Sequence, residues 1–272
     1  MEVVLAPDYP RDEHGWILFP RDLTDRRKLV PSSIQKDVSL HPAKMNLYLC
    51  QEIIKAFTKP GDTILDPFAG IGTTMVASRM DRNVILLELE SHYCDLIITT
   101  LKFWKRDLSV ELGNTTIIQG DNRQILPIPC DHIITSPPYG NDFYKSGGAL
   151  IEKGMKSQEE ADSKASSYAG STLSIGRLNP FLYNQAMIKV YKLMVAGLGS
   201  KGTITITHRD RLRGTKRILY ARDIMKTMSD LGCDLISWEK WKSPGSIQSR
   251  VNEKRGIEVI LDEDILTFRK EL

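Results

Sequence analysis

Residues 63–74 read Thr63-Ile64-Leu65-Asp66-Pro67-Phe68-Ala69-Gly70-Ile71-Gly72-Thr73-Thr74, and this stretch decides the fold. A buried strand runs into a glycine turn, and a helix is predicted from about Thr73 to Met80. The two glycines allow a tight turn and a close approach of backbone to ligand, while Asp66 ends the strand in a carboxylate. This succession predicts a nucleotide-type cofactor site. A nearby acid disfavours a pyrophosphate and favours a ligand with a cationic amino group.

Two further strands also end in acidic residues. The strand predicted over residues 83–87 precedes Glu88, which lies 22 positions after Asp66. An acid at this spacing in a βαβ unit can accept both hydroxyls of a ribose. After a helix predicted from about Ser91 to Trp104, the strand 116–119 leads to Asp121, whose carboxylate could meet an adenine amino group. We expect the three carboxylates to surround one ligand, because parallel strands end at one edge of their sheet.

A second unusual stretch, Ser136-Pro137-Pro138-Tyr139, follows an apolar strand that stops at Thr135. Proline has no N–H group, so this turn presents carbonyl oxygens and offers few donors. With the Ser136 hydroxyl and the Tyr139 ring, it suits a flat ring that carries an amino group, such as a nucleobase flipped out of its strand. The Ser136 hydroxyl and the Pro137 carbonyl are the predicted acceptors for that amine, with the ring of Tyr139 holding the base.

Composition and cysteine usage narrow the class of protein. With 272 residues and 41% hydrophobic content, the chain is expected to form one large domain with extensions. Its four cysteines include no CxxC pair, which argues against a zinc site or a disulfide framework and favours a reduced, cytoplasmic protein. Cys130 precedes its strand, at the end of the sheet away from the predicted site, and is interpreted as packing. The sequence predicts neither a signal peptide nor a membrane span.

The chain divides into an N-terminal arm, residues 1–40, and a catalytic domain, residues 41–272. In the arm, prolines interrupt any helical or alternating spacing of apolar residues, and Arg26-Arg27-Lys28 forms a small basic cluster. The arm could wrap the core or touch a phosphate backbone, although a solvated, extended segment is the simpler interpretation. Within the domain, residues 141–174 contain few apolar side chains and are predicted to form a flexible loop that orders over substrate.

Positive charge is concentrated late in the chain. Residues 201–255 contain 13 Lys and Arg against 6 Asp and Glu, although the net charge of the whole chain is only +3. Two basic segments, 209–217 and 240–255, are predicted to face a nucleic-acid backbone, with tryptophan available for stacking. The predicted contacts are Arg209, Arg211, Arg213, Lys216, Arg217, Lys240, Trp241 and Lys242.

Together, the turn 66–74 and the stretch 136–139 resemble the amino-methyltransferase branch of the S-adenosylmethionine-dependent enzymes. The SPPY tetrapeptide is most similar to that of the DNA cytosine-N4 methyltransferases. The resemblance implies a class I, Rossmann-like α/β fold, a doubly wound seven-stranded sheet with an antiparallel last strand. It also implies S-adenosylmethionine as cofactor and Ser136 to Tyr139 as the catalytic residues. The residues implied to bind the cofactor are His41, Pro42, Lys44, Asp66, Phe68, Gly70, Gly72, Thr73, Glu88 and Asp121.

The function that the resemblance implies is methyl transfer to the N4 amino group of cytosine in DNA, with the base flipped out. Methylation of adenine N6 in DNA, or of cytidine N4 in structured RNA, remains open as an alternative. A non-enzymatic alternative is an inactive, regulatory cofactor-binding protein, which the intact turn and tetrapeptide disfavour. DNA is the favoured partner, RNA is the alternative, and neither a metal nor a membrane is expected.

Overall fold

The structure, a computed structural model, describes residues 4–41, 44–138, 171–213, 216–243, 251–252, 255–256 and 258–271. Its strands are β1 (Thr63–Asp66), β2 (Asn83–Glu88), β3 (Thr115–Gln119), β4 (Cys130–Thr135), β5 (Leu198–His208), β6 (Arg211–Arg213), β7 (Lys216–Ile218), β8 (Cys233–Lys242) and β9 (Asp262–Lys270). Its α-helices are α1 (Leu23–Lys28), α2 (Gln35–Leu40), α3 (Leu47–Phe57), α4 (Ser91–Trp104), α5 (Asn122–Ile125), α6 (Pro180–Gly197) and α7 (Tyr220–Asp230). Short 3-10 helices span Ser32–Ile34, Thr73–Met80 and Ile175–Arg177.

Seven strands form one sheet in the order β3-β2-β1-β4-β5-β9-β8. The first five are parallel, and β9 runs antiparallel to both of its neighbours. The chain fills β1, β2 and β3 in one direction and then returns to place β4 on the other side of β1. A crevice opens where the strand order reverses, at the carboxyl ends of β1 and β4. The predicted α/β class, sheet size and antiparallel last strand are therefore confirmed.

Alternate residues along the central strands supply two apolar layers. Ile64, Leu86 and Ile134 pack on one face of the sheet with α3, the 3-10 helix 73–80 and α4. On the other face, Leu65 and Ile133 pack with α6 and α7. Successive side chains of a strand point to opposite faces, so both faces are buried, as a parallel sheet requires.

Local capping signals set where several helices begin. The Asn46 side chain accepts hydrogen bonds from the N–H groups of Tyr48 and Leu49 at the start of α3. Asn179 caps α6 in the same way, with Pro180 in the first turn, where its missing N–H costs nothing. The predicted bounds of α4 match the structure, and residues 73–80 form a tighter 3-10 helix. No helix within the described ranges combines the length and apolar character needed to cross a membrane.

The N-terminal segment packs against the domain, which differs from the extended, solvated interpretation. Leu5, Ile17 and Phe19 are buried in the same apolar layer as α3. The Ile17 N–H donates to the Lys240 carbonyl at 2.8 Å, and the Lys242 N–H donates to the Ile17 carbonyl at 2.9 Å. These bonds cover part of the outer edge of β8, where backbone groups would otherwise lack partners. The segment thus wraps the core, which is one of the alternatives that the sequence left open.

Candidate active site

A pocket lies at the carboxyl ends of β1, β2, β3 and β4, at the reversal of strand order. The structure brings most of the sequence-predicted cofactor and catalytic residues onto its wall: His41, Lys44, Asp66, Phe68, Gly70, Thr73, Glu88, Asp121, Ser136, Pro137 and Pro138. Pro42 and Tyr139 lie outside the described residues, as do residues 141–170 of the predicted loop. The glycine turn that follows Asp66 and the turn that begins at Ser136 are about 70 residues apart in sequence. They form one site because β1 and β4 are neighbouring parallel strands that end at the same edge of the sheet.

Asp66 ends β1 and is buried, at 4% exposure. Its Oδ1 accepts hydrogen bonds from the Phe68 N–H at 3.0 Å and the Thr135 hydroxyl at 2.7 Å, and its Oδ2 accepts from Thr74 at 2.6 Å. Burial raises the pKa of this carboxyl, while these three donors oppose the rise. Each carboxylate oxygen has two lone pairs, so Asp66 can hold the turn rigid and still accept from a ligand.

Glu88 ends β2 and supports the glycine turn. Its Oε2 accepts from the Gly70 N–H at 2.7 Å, and its Oε1 accepts from the Glu90 N–H at 2.9 Å. Burial raises the pKa of Glu88 to about 7, although the N–H donors lower it. Gly70 has φ of +54°, and a Cβ there would approach His41 Nε2 to 3.2 Å, so a larger residue would crowd this wall.

Gly72 is the one described member of the predicted cofactor set that lies off the pocket wall. It adopts φ of +76°, and an added Cβ would lie 2.8 Å from Cγ1 of Ile97 on α4. Its role as a cofactor contact stays a prediction. Gly72 permits the left-handed turn and close packing against α4, because only glycine combines this φ with so little space.

Asp121 caps the short helix α5 and forms an ion pair with Arg123 at 2.6 Å. Burial tends to raise the pKa of Asp121, but the hydrogen bonds and charge of Arg123 lower it below its usual value. Arg123 also donates to the Leu173 carbonyl at 2.8 Å, and Glu90 accepts from the Ser171 N–H at 3.0 Å. Residues 173–175 line the pocket, so these two side chains tie the chain after residue 170 to its rim.

The turn 136–138 forms the wall next to β1. Ser136, Pro137 and Pro138 all line the pocket, and the Tyr183 hydroxyl on α6 donates to the Pro138 carbonyl at 2.9 Å. This bond fixes the second proline from the far side of the turn. The predicted acceptors, the Ser136 hydroxyl and the Pro137 carbonyl, therefore belong to a supported turn at the same pocket as Asp66.

Several supporting residues escaped the sequence reasoning. Thr135 and Thr74 hold Asp66, and the buried Asn122 side chain donates to the Pro67 carbonyl at 2.9 Å. Arg26 of the N-terminal segment donates to the Thr73 hydroxyl at 2.9 Å and to the Met45 carbonyl at 2.7 Å. A threonine next to each motif was a usable signal for Thr74 and Thr135, but no local pattern distinguishes Arg26 from its basic neighbours.

The predicted nucleic-acid contacts have different surroundings. Arg209 pairs with Glu263 at 2.6 Å, Lys242 pairs with Asp12 at 3.2 Å, and Arg217 and Lys240 bind buried aspartates. Trp241 is 4% exposed, and its indole donates to Glu263 at 3.0 Å. This position counts against stacking on a base, because the ring is covered by the N-terminal segment. Arg211, Arg213 and Lys216 lie in the β6–β7 hairpin.

The four cysteines are free and buried. Burial raises the pKa of Cys130 to about 12, so its thiol stays protonated at neutral pH. Cys130 begins β4, whereas the pocket lies beyond the other end of that strand. Among the described residues, no group of three or more His, Cys, Asp or Glu side chains is arranged to hold a metal ion.

The donor and acceptor set of the pocket fits S-adenosylmethionine. Four carboxylates, those of Asp66, Glu88, Glu90 and Asp121, line it, so it suits a ligand with positive charge and hydroxyl groups. The apolar side chains of Phe68 and Ile71 supply surface for a flat ring. The fit therefore rests on the chemistry of the wall itself, with the acids at the ends of three strands.

Comparison with known proteins supports the same assignment. Residues 16–99 match the family model described as DNA methylase, which covers N6- and N4-type enzymes. The Type II methyltransferase M2.DpnII of Streptococcus pneumoniae is 46% identical over 61 residues, which are 22% of this chain and 23% of that protein. The Type II methyltransferase M.BglI of Bacillus subtilis is 49% identical over 57 residues, or 21% and 16% of the two chains.

These matches span less than a quarter of each relative's length. Over the matched segments this chain is similar to DNA amino-methyltransferases, and the similarity supports S-adenosylmethionine as cofactor. A solved Bacillus halodurans protein, described as a candidate methyltransferase, aligns with 83% of this chain and 99% of its own. Its TM-score is 0.52 at 10% sequence identity, so the likeness concerns the fold.

Proposed function

We propose that this chain, a relative of the DNA amino-methyltransferases, transfers a methyl group from S-adenosylmethionine to the exocyclic N4 amino group of cytosine in DNA. One observation carries the proposal: Ser136 and Pro137 line the same pocket as Asp66 and Glu88. A wall of acceptors next to a cofactor-type site fits a reaction in which an amine must be held and aimed. The proposed target is a base turned out of the duplex, because an amine in a base pair cannot reach such a pocket.

The residues of the turn have a defined task in this chemistry. The lone pair of the cytosine amine is delocalised into the ring, and it becomes available when two acceptors hold the two N–H bonds. The Ser136 hydroxyl and the Pro137 carbonyl are the proposed acceptors. The bound cofactor supplies an electrophilic methyl group on a sulfonium. In the proposed transfer, the amine nitrogen would form the new N–C bond as the S–C bond breaks. S-adenosylhomocysteine would leave with the electron pair of that bond, and the nitrogen would release a proton to solvent.

No strong base is needed in this scheme, since the nitrogen becomes acidic only once it is methylated. Positioning and electrostatic support therefore supply most of the rate enhancement. Tyr183 holds the Pro138 carbonyl, and Thr135 links the turn to Asp66. The proposed role of Tyr139, stacking on the base, remains a prediction from the sequence. The tetrapeptide 136–139 begins with serine, as in the SPPY form that resembles the cytosine-N4 enzymes. An aspartate at position 136 would give the DPPY form that resembles the adenine-N6 enzymes, so Ser136 favours cytosine as the target base.

The test is mass spectrometry of nucleosides after incubation of the chain with DNA or with RNA and methyl-labelled cofactor. N4-methylcytosine in DNA is the expected product, and reactions with S-adenosylhomocysteine in place of the cofactor are the control. If N6-methyladenine forms instead, the proposed methyl transfer to an amine would stand, but the target base would be adenine. If methylated product forms only in RNA, the substrate would be RNA in place of DNA. Tight cofactor binding without any product would favour the regulatory alternative.

A further inference from the structure

Three buried aspartates form an acidic socket at the carboxyl end of β5 and the start of β9: Asp210, Asp262 and Asp264. Arg217 donates from Nε to Asp210 Oδ2 at 2.8 Å and from Nη2 to Asp262 Oδ2 at 2.6 Å. Lys240 Nζ lies 2.5 Å from Asp262 Oδ2 and 3.1 Å from Asp264 Oδ1. Two cations that the sequence assigned to phosphates are thus held by carboxylates inside the protein.

The acidic socket binds both ends of the chain segment that forms the β6–β7 hairpin. Asp210 directly precedes β6, and its Oδ1 accepts from the N–H of Tyr220, the first residue after the hairpin's exit segment. Arg217 lies in β7 and spans two aspartates with its forked guanidinium. A fork that bonds two acceptors fixes both position and orientation, which a single ammonium does not.

The register of the hairpin separates the anchor from the other basic positions. Position 212 pairs with 217, whereas 213 pairs with 216 and 211 pairs with 218. Cross-strand partners share a face and successive residues alternate. Positions 211, 213 and 216 therefore lie on the face of the hairpin opposite position 217.

The hairpin also emerges at the edge of the sheet that carries the pocket. It follows β5, which is the neighbour of β4, and Thr135 pairs with Ile206 near the ends of these strands. Ser136 and the start of the hairpin thus leave adjacent strands in the same direction. A polyanion that delivers a base to Ser136 would pass close to this hairpin.

We propose that the acidic socket positions the β6–β7 hairpin as a contact for a nucleic-acid backbone, with positions 211, 213 and 216 meeting phosphates. Arg217 and Lys240 are positioning residues in this arrangement and do not contact phosphates themselves. The inference rests on the proposed function in taking nucleic acid as the partner.

Asp262→Asn tests the socket because two models predict opposite signs. If Arg217 and Lys240 were phosphate contacts, removal of an acid beside them would strengthen binding. If they are anchors, the same change loosens the hairpin, and affinity for a labelled 30-bp mixed-sequence duplex should fall about fivefold or more, with a shallower salt dependence. Asp234→Asn, an exposed acid in β8, is the matched control and should stay within about twofold. Affinity for Asp262→Asn equal to or tighter than wild type would overturn the inference.

A second variant guards against misfolding of the first. Arg217→Lys keeps the charge but loses the fork, and we expect weaker duplex binding with unchanged affinity for S-adenosylhomocysteine. Unchanged duplex binding by this variant would overturn the inference, as would a wild-type chain that binds no duplex at low salt. Methyl transfer is measured on the same duplex. If methyl transfer occurs but duplex binding does not change in Asp262→Asn, the proposed role of the socket fails and the proposed function stands. If duplex binding depends on Asp262 but no methyl transfer occurs, the proposed function fails and the role of the socket stands.

Discussion

The hydroxyl of Thr135 donates to Asp66 Oδ1 at 2.7 Å, which joins the last residue of β4 to the last residue of β1. Asp66 faces the proposed cofactor, and Thr135 immediately precedes Ser136, the proposed acceptor for the target amine. One buried hydrogen bond therefore links the proposed cofactor side of the pocket to the proposed amine side. Methyl transfer requires the nitrogen, the methyl carbon and the sulfur in line, so errors in this link should appear in the rate.

Thr135→Val tests whether the hydrogen bond between Thr135 and Asp66 supports cofactor binding. It removes the donor and keeps the side-chain volume. We expect affinity for S-adenosylhomocysteine to fall about tenfold, because loss of this donor raises the pKa of the buried Asp66 carboxyl and weakens its charge-assisted bond to the amino group of the ligand. Thr135→Ser retains the hydroxyl and should stay within about threefold of wild type. Titration calorimetry measures both variants. Equal affinity for Thr135→Val and wild type would make the bond incidental.

Glu88 should make stability depend on pH. Burial raises its pKa from 4.5 to about 7. A carboxyl with a raised folded-state pKa contributes stability that is complete below the unfolded pKa and is lost as pH rises through about 7. Glu88→Gln does not titrate, so its stability relative to wild type should increase by about 2–3 kcal/mol between pH 5 and pH 8.

Urea unfolding at the two pH values measures this difference. Glu111→Gln, a change at an exposed acid, is the control and should give no such trend. A flat difference for Glu88→Gln would mean that the carboxylate is well solvated in the folded chain. Because ribose hydroxyls would donate to the charged form of Glu88, cofactor binding should also release a proton when the pH lies just below the pKa of about 7. Calorimetry in buffers of different ionisation enthalpy detects this release.

Arg26 should be structural, whereas its neighbour should not. Arg26 is 6% exposed and donates to Asp22, Thr73 and the Met45 carbonyl. Arg26→Met leaves three acceptors without this donor and breaks a largely buried ion pair, so we expect a loss of about 3 kcal/mol of unfolding free energy. Arg27→Met alters an exposed side chain and should change it by less than about 0.5 kcal/mol. Equal effects in thermal or urea unfolding would contradict the assigned role of Arg26.

Ser136→Ala tests the chemistry of the turn. The variant keeps the pocket shape and removes one acceptor, so single-turnover methyl transfer should slow by about 10- to 1000-fold while cofactor affinity is unchanged. Ser136→Asp restores an acceptor and should retain some amine methylation. Both variants are assayed on saturating cytosine- and adenine-containing strands. Full activity in Ser136→Ala, with the same product, would reduce Ser136 to a turn residue.

The sequence by itself determined the α/β class, the elements around the glycine turn and the meeting of Asp66, Glu88 and Asp121 at one edge. These features follow from short-range rules: alternation sets the strands, glycine sets the turn, and parallel strands bring their carboxyl ends together. Ser136 directly follows the apolar strand that stops at Thr135, so the sequence also indicated that it lies just beyond the end of a strand. These features could be predicted because each depends on residues close together in sequence, within one βαβ unit.

The tertiary structure alone decided what each polar side chain contacts. Arg217 meets Asp262 across 45 positions and Thr135 meets Asp66 across 69. Gly72 turned out to face Ile97, and Trp241 is buried under the N-terminal segment. A basic residue in a sequence carries no mark of whether its counterion is a phosphate or a buried carboxylate. The partner depends on how distant strands are registered, and registration is fixed only when the whole sheet is packed.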